Sequence, residues 1–211
     1  MIIAIIGPDG SGKTTVALAL VEALQLAGYS ARHYPFNFGI LPKLSAFRRN
    51  GRKQTCRTDA GPVMNLRVNS KLASLAYVSW YGIDYFLGGV ALRLAGIFSR
   101  RPKVSVFARY FYDYYYQSNN QALPVWVKKL VERTLVPKPE CIIFLDRDAE
   151  EIFGMKPELP VEEIKRQQAT ILARFGRYPH FHVIDGRNGI QQTVASAMRA
   201  ICLAGGVRQH G

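Results

Sequence analysis

Residues 7–15 read Gly-Pro-Asp-Gly-Ser-Gly-Lys-Thr-Thr and match the spacing G-x-x-x-x-G-K-[ST], with Gly7, Gly12, Lys13 and Thr14 in the fixed places. The chemistry such a spacing serves is the capture of a phosphate chain. Gly10 and Gly12 let the backbone turn without a Cβ, so successive amide N–H groups, from Asp9 and Ser11 through Thr15, can point inward at phosphate oxygens. A helix starting near Lys13 brings its positive end to the same spot. Lys13 supplies a mobile cation for the β- and γ-phosphates of ATP, and the Thr14 hydroxyl is placed to hold Mg²⁺.

Such a loop works only between a strand and a helix. Residues 1–6 (MIIAII) form an unbroken apolar run, as a parallel strand covered on both faces requires. Residues 16–27 read as the helix that follows, packed on the sheet and stopped at Gly28. Further strands are expected over 30–36, 103–107, 141–145 and 181–184. Between them stand helices over part or all of 63–98, from Pro124 onward, from Asp148 with Glu151 as a capping pair, over 160–175, and from about 190 to 201. Val125, Leu130, Val131 and Leu135 are assigned to the inner face of the Pro124 helix, and Lys128, Lys129, Glu132 and Arg133 to the outer. Alternating strands and helices predict a parallel five-stranded sheet with helices on both faces, a three-layer α/β/α fold. Ligands bind at the carboxyl ends of such strands, so the segments after each strand build the site.

The chain's 211 residues suit one α/β domain, residues 1–211, and its 48 % hydrophobic content excludes a disordered chain. Cys56, Cys141 and Cys202 are odd in number and far apart, which suggests neither a disulfide framework nor a zinc site and fits a reduced cytoplasm. The four histidines, His33, His180, His182 and His210, lack metal-ligand spacing. Over 72–92 the only charge is Asp84, but Gly82, Gly88 and Gly89 interrupt the run, so a core or interface helix is expected rather than a membrane span. The net charge of +13 attracts anions, nucleotides among them. Lys43, Arg48, Arg49, Arg52, Lys53 and Arg57 cluster in an expected loop, yet no nucleic-acid module surrounds them, so nucleic acid is not the expected partner.

With Asp9 in its third place, the 7–15 segment resembles the phosphate loop of thymidylate kinases. Ala108-Arg109-Tyr110-Phe111-Tyr112-Asp113 resembles the Asp-Arg-Tyr segment after that family's third strand. The form with Tyr-Asp following is similar to thymidylate-kinase-like proteins often linked to surface-polysaccharide synthesis. Residues 141–148, then Lys156-Pro157-Glu158-Leu159, resemble the fourth strand and the lid, here about 154–162, and the likeness runs to about Leu203. It implies the P-loop nucleoside-monophosphate-kinase type of fold, with ATP and Mg²⁺ as cofactors and dTMP or a similar monophosphate as acceptor. It also implies that Asp9 touches the acceptor's sugar or phosphate region, that Arg109 grips its phosphate, and that Tyr110 and Asp113 stand in the same acceptor site. The same resemblance implies that Lys156 reaches the transferring phosphoryl group from the lid and that a homodimer forms through the 63–98 helices.

Two departures stand out. Ala108 replaces the Asp expected before Arg109, and Met155 replaces the lid arginine expected beside Lys156. Asp113 is one candidate for the missing carboxylate, and Arg166 or Arg174 for the missing guanidinium. Other readings stay open: Arg109 pairing with Asp113 or Asp146, the aromatic run 110–116 filling the core, Asp146 as helix cap or metal aid, and Lys156 as a solvated side chain. The activity expected is phosphoryl transfer to a nucleoside monophosphate. The alternatives are a non-nucleotide acceptor linked to polysaccharide synthesis, or an ATP-binding protein without transfer.

Overall fold

The computed structural model describes residues 1–42, 71–97, 99, 101–117 and 123–205. The basic cluster over 43–57, Cys56, the helix start at Pro62 and His210 lie outside the described residues. Five strands are present: β1 (Ile2–Ile6), β2 (Ser30–Tyr34), β3 (Lys103–Phe107), β4 (Cys141–Asp146) and β5 (Phe181–Asp185). The helices are α1 (Lys13–Leu26), α2 (Lys71–Ile97), α3 (Asp113–Tyr116), α4 (Val125–Leu135), α5 (Ala149–Met155), α6 (Val161–Phe175) and α7 (Gly189–Leu203).

The strands form one sheet in the order β2-β3-β1-β4-β5, and every neighbouring pair is parallel. Side chains alternate across a strand, and that alternation divides the core. Ile3 and Ile5 of β1 pack with Val16, Leu20 and Ile201 under α1 and α7. Ile2, Ala4 and Ile6 pack on the opposite face with residues of α2, α3, α4 and α6. The result is helices on both sides of an all-parallel sheet. Every residue of β1 is buried, and each Ile so enclosed contributes about 1.5–3 kcal/mol.

This topology fixes where a ligand fits. The chain leaves β1 toward the α1 face, whereas it leaves β3 and β4 toward the other face. The backbone therefore parts above the carboxyl end of β1, which opens a crevice there.

α2 is one continuous helix, and its one acidic residue has a structural task. Asp84 is fully buried and accepts from Asn37 Nδ2 at 2.9 Å, Gly39 N at 3.1 Å and Leu41 N at 2.8 Å. It thereby ties the chain after β2 onto α2. Tyr85 adds a hydrogen bond from its hydroxyl to Phe36 O, and Trp80 Nε1 donates to Pro42 O at 3.1 Å. The approach is close: a Cβ on Gly88 would lie 2.0 Å from the Phe38 ring. Asp84→Ala removes the acceptor of three donors at once. It is expected to cost about 3 kcal/mol, since buried unpaired donors cost roughly 1–3 kcal/mol each and some are rewetted; a urea titration of both proteins checks this.

The helix after Pro124 is where the expected facing fails. Val125 and Leu130 are exposed, while Lys128 is only 4 % exposed. Its Nζ donates to Tyr114 O at 2.8 Å, and burial pulls its pKa down to about 8. The cause is α3, a single turn whose last carbonyls have no partner within the turn and need a donor from outside. Ile164, Ile171 and Phe175 of α6 are buried, and Asp148 caps α5 by accepting from Glu150 N at 3.0 Å. Among the described residues, no helix is long and apolar enough to cross a membrane.

Candidate functional site

β1 ends at Ile6 and the chain turns back into α1 over Gly7–Gly12. Gly10 adopts φ +94°, and a Cβ there would come within 3.1 Å of Ile152 Cγ2 and 3.2 Å of Lys156 Cβ. Only glycine fits, because α5 and the start of the lid lie directly over the loop. α1 begins on Gly12 with no side-chain cap and no acidic residue in its first turn. Its first internal hydrogen bond is Val16 N to Gly12 O, so the N–H groups of Lys13, Thr14 and Thr15 have no helical acceptor. The positive helix end stays uncompensated at the mouth of the crevice. Thr14 and Thr15 are exposed there, whereas Ser11 is buried and its hydroxyl has no partner.

Lys13 is 5 % exposed, and its Nζ donates to Gly7 O at 2.8 Å, to Pro8 O at 2.6 Å and to Asp9 Oδ1 at 3.4 Å. Arg109, delivered by the segment after β3, donates from Nη2 to the same Asp9 Oδ1 at 2.6 Å. Arg109 thus pairs with Asp9 rather than with Asp113 or Asp146. Burial works against the Asp9 charge, but Lys13 and Arg109 outweigh it and hold its carboxyl below the usual range. Burial lowers the Lys13 pKa despite Asp9, while in Arg109 the nearby Asp9 and Asp113 overcome burial and keep the guanidinium charged. Lys156 lies beside this group, where its charge also favours ionised Asp9, and its Nζ meets Glu158 Oε2 at 3.2 Å.

Two assigned residues stand elsewhere. Tyr110 is fully buried, and its hydroxyl donates to Pro137 O, away from the loop. It packs edge-on against Tyr85 and Phe107, so it is core filling and offers a ligand nothing. Asp113 is near the loop yet only 2 % exposed, with both carboxylate oxygens taken, by the Tyr116 hydroxyl and by Gln117 Nε2 at 3.2 Å. It does not face an acceptor; it stands behind the loop. Tyr116 was hidden in the aromatic run. Its hydroxyl lies 3.5 Å from Gly7 O, and the i, i+3 spacing from Asp113 was the available signal.

Burial pushes Asp113 up to about 6, against the pull of Arg109 and Lys13. Between the ordinary carboxylate value and about 6, the folded chain keeps a proton that the unfolded chain has released. Stability therefore falls as pH rises across that window and stays lower above it. A shift of this size is worth at most roughly 3 kcal/mol. Asp113→Asn is expected to melt higher than the wild type at pH 7 and no higher near pH 4, which paired thermal scans check.

The departures also have places. Ala108 is sealed in the core beside α1. Met155 Sδ accepts from Arg147 Nη1 at 3.1 Å, and the same guanidinium donates to Gly186 O. Arg174 is committed to Glu132 at 2.7 Å and lies over the Tyr115 ring, away from the loop. Arg166 reaches Tyr116 O at 2.9 Å and pairs with Glu163. Asp146 accepts from Gln168 Nε2 at 3.1 Å, and Asp148 is the residue that caps α5.

A nucleoside triphosphate fits this donor set: unpaired N–H groups at an uncapped helix start, two cations, and an exposed hydroxyl at Thr14. Among the described residues, no group of three or more His, Cys, Asp or Glu gathers for a metal. Magnesium suits such a place, since it keeps water and takes phosphate oxygens rather than needing a protein cage. No protein-family model matches the chain, and no curated protein matches it.

Proposed function

We propose that the chain is an ATP- and Mg²⁺-dependent kinase of the P-loop nucleoside-monophosphate-kinase type, with dTMP or a similar monophosphate as acceptor. One observation carries the reading: Lys13 and Arg109, from different elements, converge on one oxygen of Asp9 at the mouth of an uncapped helix. Two cations and a free helix end are what a transferring phosphoryl group requires. The loop amides and Lys13 hold the donor phosphates. Arg109, a planar donor suited to bidentate contact, holds the acceptor phosphate. Asp9 orients Arg109 and contacts the acceptor, while Lys156 neutralises charge from the lid. The Thr14 hydroxyl would hold magnesium, which when bound would supply further neutralisation of the phosphate oxygens.

The apolar side chains exposed along α2, including Ile83, Phe86, Val90 and Leu94, support a homodimer through that helix. A second reading, ATP binding without transfer, is favoured by the enclosed Ala108, which leaves the end of β3 without a carboxylate. One panel separates the two: Mg-ATP with dTMP, other monophosphates and sugar or lipid-linked acceptors, followed by ADP release. Acceptor-dependent turnover supports transfer, and its chemistry names the acceptor. Thermal stabilisation by ATP with no turnover for any acceptor supports the second reading and removes the first.

A further inference from the structure

Lys13 is buried with its three hydrogens given to Gly7 O, Pro8 O and Asp9 Oδ1, so swinging out to a phosphate takes it from the carbonyls it now serves. Gly7 and Pro8 are both buried, and a buried carbonyl without a donor is costly. Pro8 O keeps the N–H of Ser11 at 3.3 Å. For Gly7 O, the other donor in reach among the described residues is the Tyr116 hydroxyl at 3.5 Å. That hydroxyl has one hydrogen, and it is now given to Asp113.

We propose that nucleotide binding moves this hydrogen: as Lys13 swings to the phosphates, Tyr116 turns its donor from Asp113 to Gly7 O, and Asp113 takes up a proton from solvent. The balance closes, because the new carboxyl proton restores the Asp113–Tyr116 contact with Asp113 as donor. Tyr116 and Asp113 are thus positioning residues that release Lys13 without orphaning the loop. The charges facing Asp113 favour the exchange. Arg109, Lys13 and Asp9 surround it, with Tyr116 and Gln117 on its oxygens and Tyr85 packed nearby. Departure of Lys13 removes one of two stabilising cations as the phosphates bring negative charge. Burial has already raised Asp113 to about 6, so a modest further push protonates it near neutrality. This inference rests on the nucleotide-binding part of the reading above but not on transfer.

The test is calorimetry of Mg-ATP binding at pH 7, without acceptor, in buffers of different ionisation enthalpy. The wild type is expected to take up about half a proton or more per site. Asp113→Asn should abolish that uptake. Tyr116→Phe, with a thermal scan confirming that it folds, should bind about tenfold more weakly because Gly7 O is left unpaired. Equal uptake in wild type and Asp113→Asn, or unchanged affinity in Tyr116→Phe, overturns the exchange while leaving nucleotide binding intact. Absence of heat in every buffer removes the nucleotide reading and the exchange together.

Discussion

Lys13→Ala is expected to lower acceptor-dependent ADP release by about 10²–10³-fold, the usual cost of losing one preorganised charge at a transferring group. The loss belongs to the chemistry and not to the fold. Lys13 opens α1, and the loop before it is shaped where Gly10 passes under Ile152 and Lys156. Burial already lowers its pKa, so removing it also removes a desolvated cation. Against this stand the donors lost by Gly7 O, Pro8 O and Asp9. The two effects oppose, and the melting temperature should move by only a few degrees while turnover collapses. Turnover at the wild-type level would show that phosphates are held elsewhere.

Arg109→Ala should be as damaging, with a different signature. Arg109 makes the shorter contact to Asp9, at 2.6 Å against 3.4 Å for Lys13. Without it, the acceptor loses a bidentate partner and Asp9 loses its orientation. A fall of about 10²-fold or more in kcat/KM is expected, with the acceptor's KM rising and that of ATP changing little. Arg109→Lys keeps the charge but not the planar fork, so it should recover only a small part. The carboxyl of Asp9 is held low by Lys13 and Arg109 together. In the alanine variant it climbs toward its ordinary value, and the acid limb of the pH profile moves to higher pH with it. Steady-state kinetics against each substrate, over a pH series, check all three points.

Much of the scaffold was legible because buried parallel strands write themselves as apolar runs. IIAII and CIIFL mark β1 and β4 within a residue of where they occur. The loop was legible for a similar reason, since two glycines at left-handed φ and a lysine at a helix start leave a fixed spacing. What failed depended on partners far along the chain. Lys128 reads as a surface residue until the carbonyl of Tyr114 needs it. Tyr110 and Asp113 stand beside Arg109 in sequence, yet one turns into the core and the other behind the loop. Asp84 looked like an intruder in an apolar helix, and its acceptors' role appears only when residues 37–41 fold across it. These misses concern polar groups whose meaning is set by what is opposite them, and sequence spacing carries no record of that.

The small cluster of Ala149, Ile152 and Ile164, with Leu159 and Val161 against it, is separate from both large cores. Residues 149–164 therefore form a plate with its own fastening, and the Lys165–Glu150 ion pair at 2.7 Å adds a polar tie between α5 and α6. Amide protons on this plate should accordingly trade with deuterium sooner than those of β1 or β4.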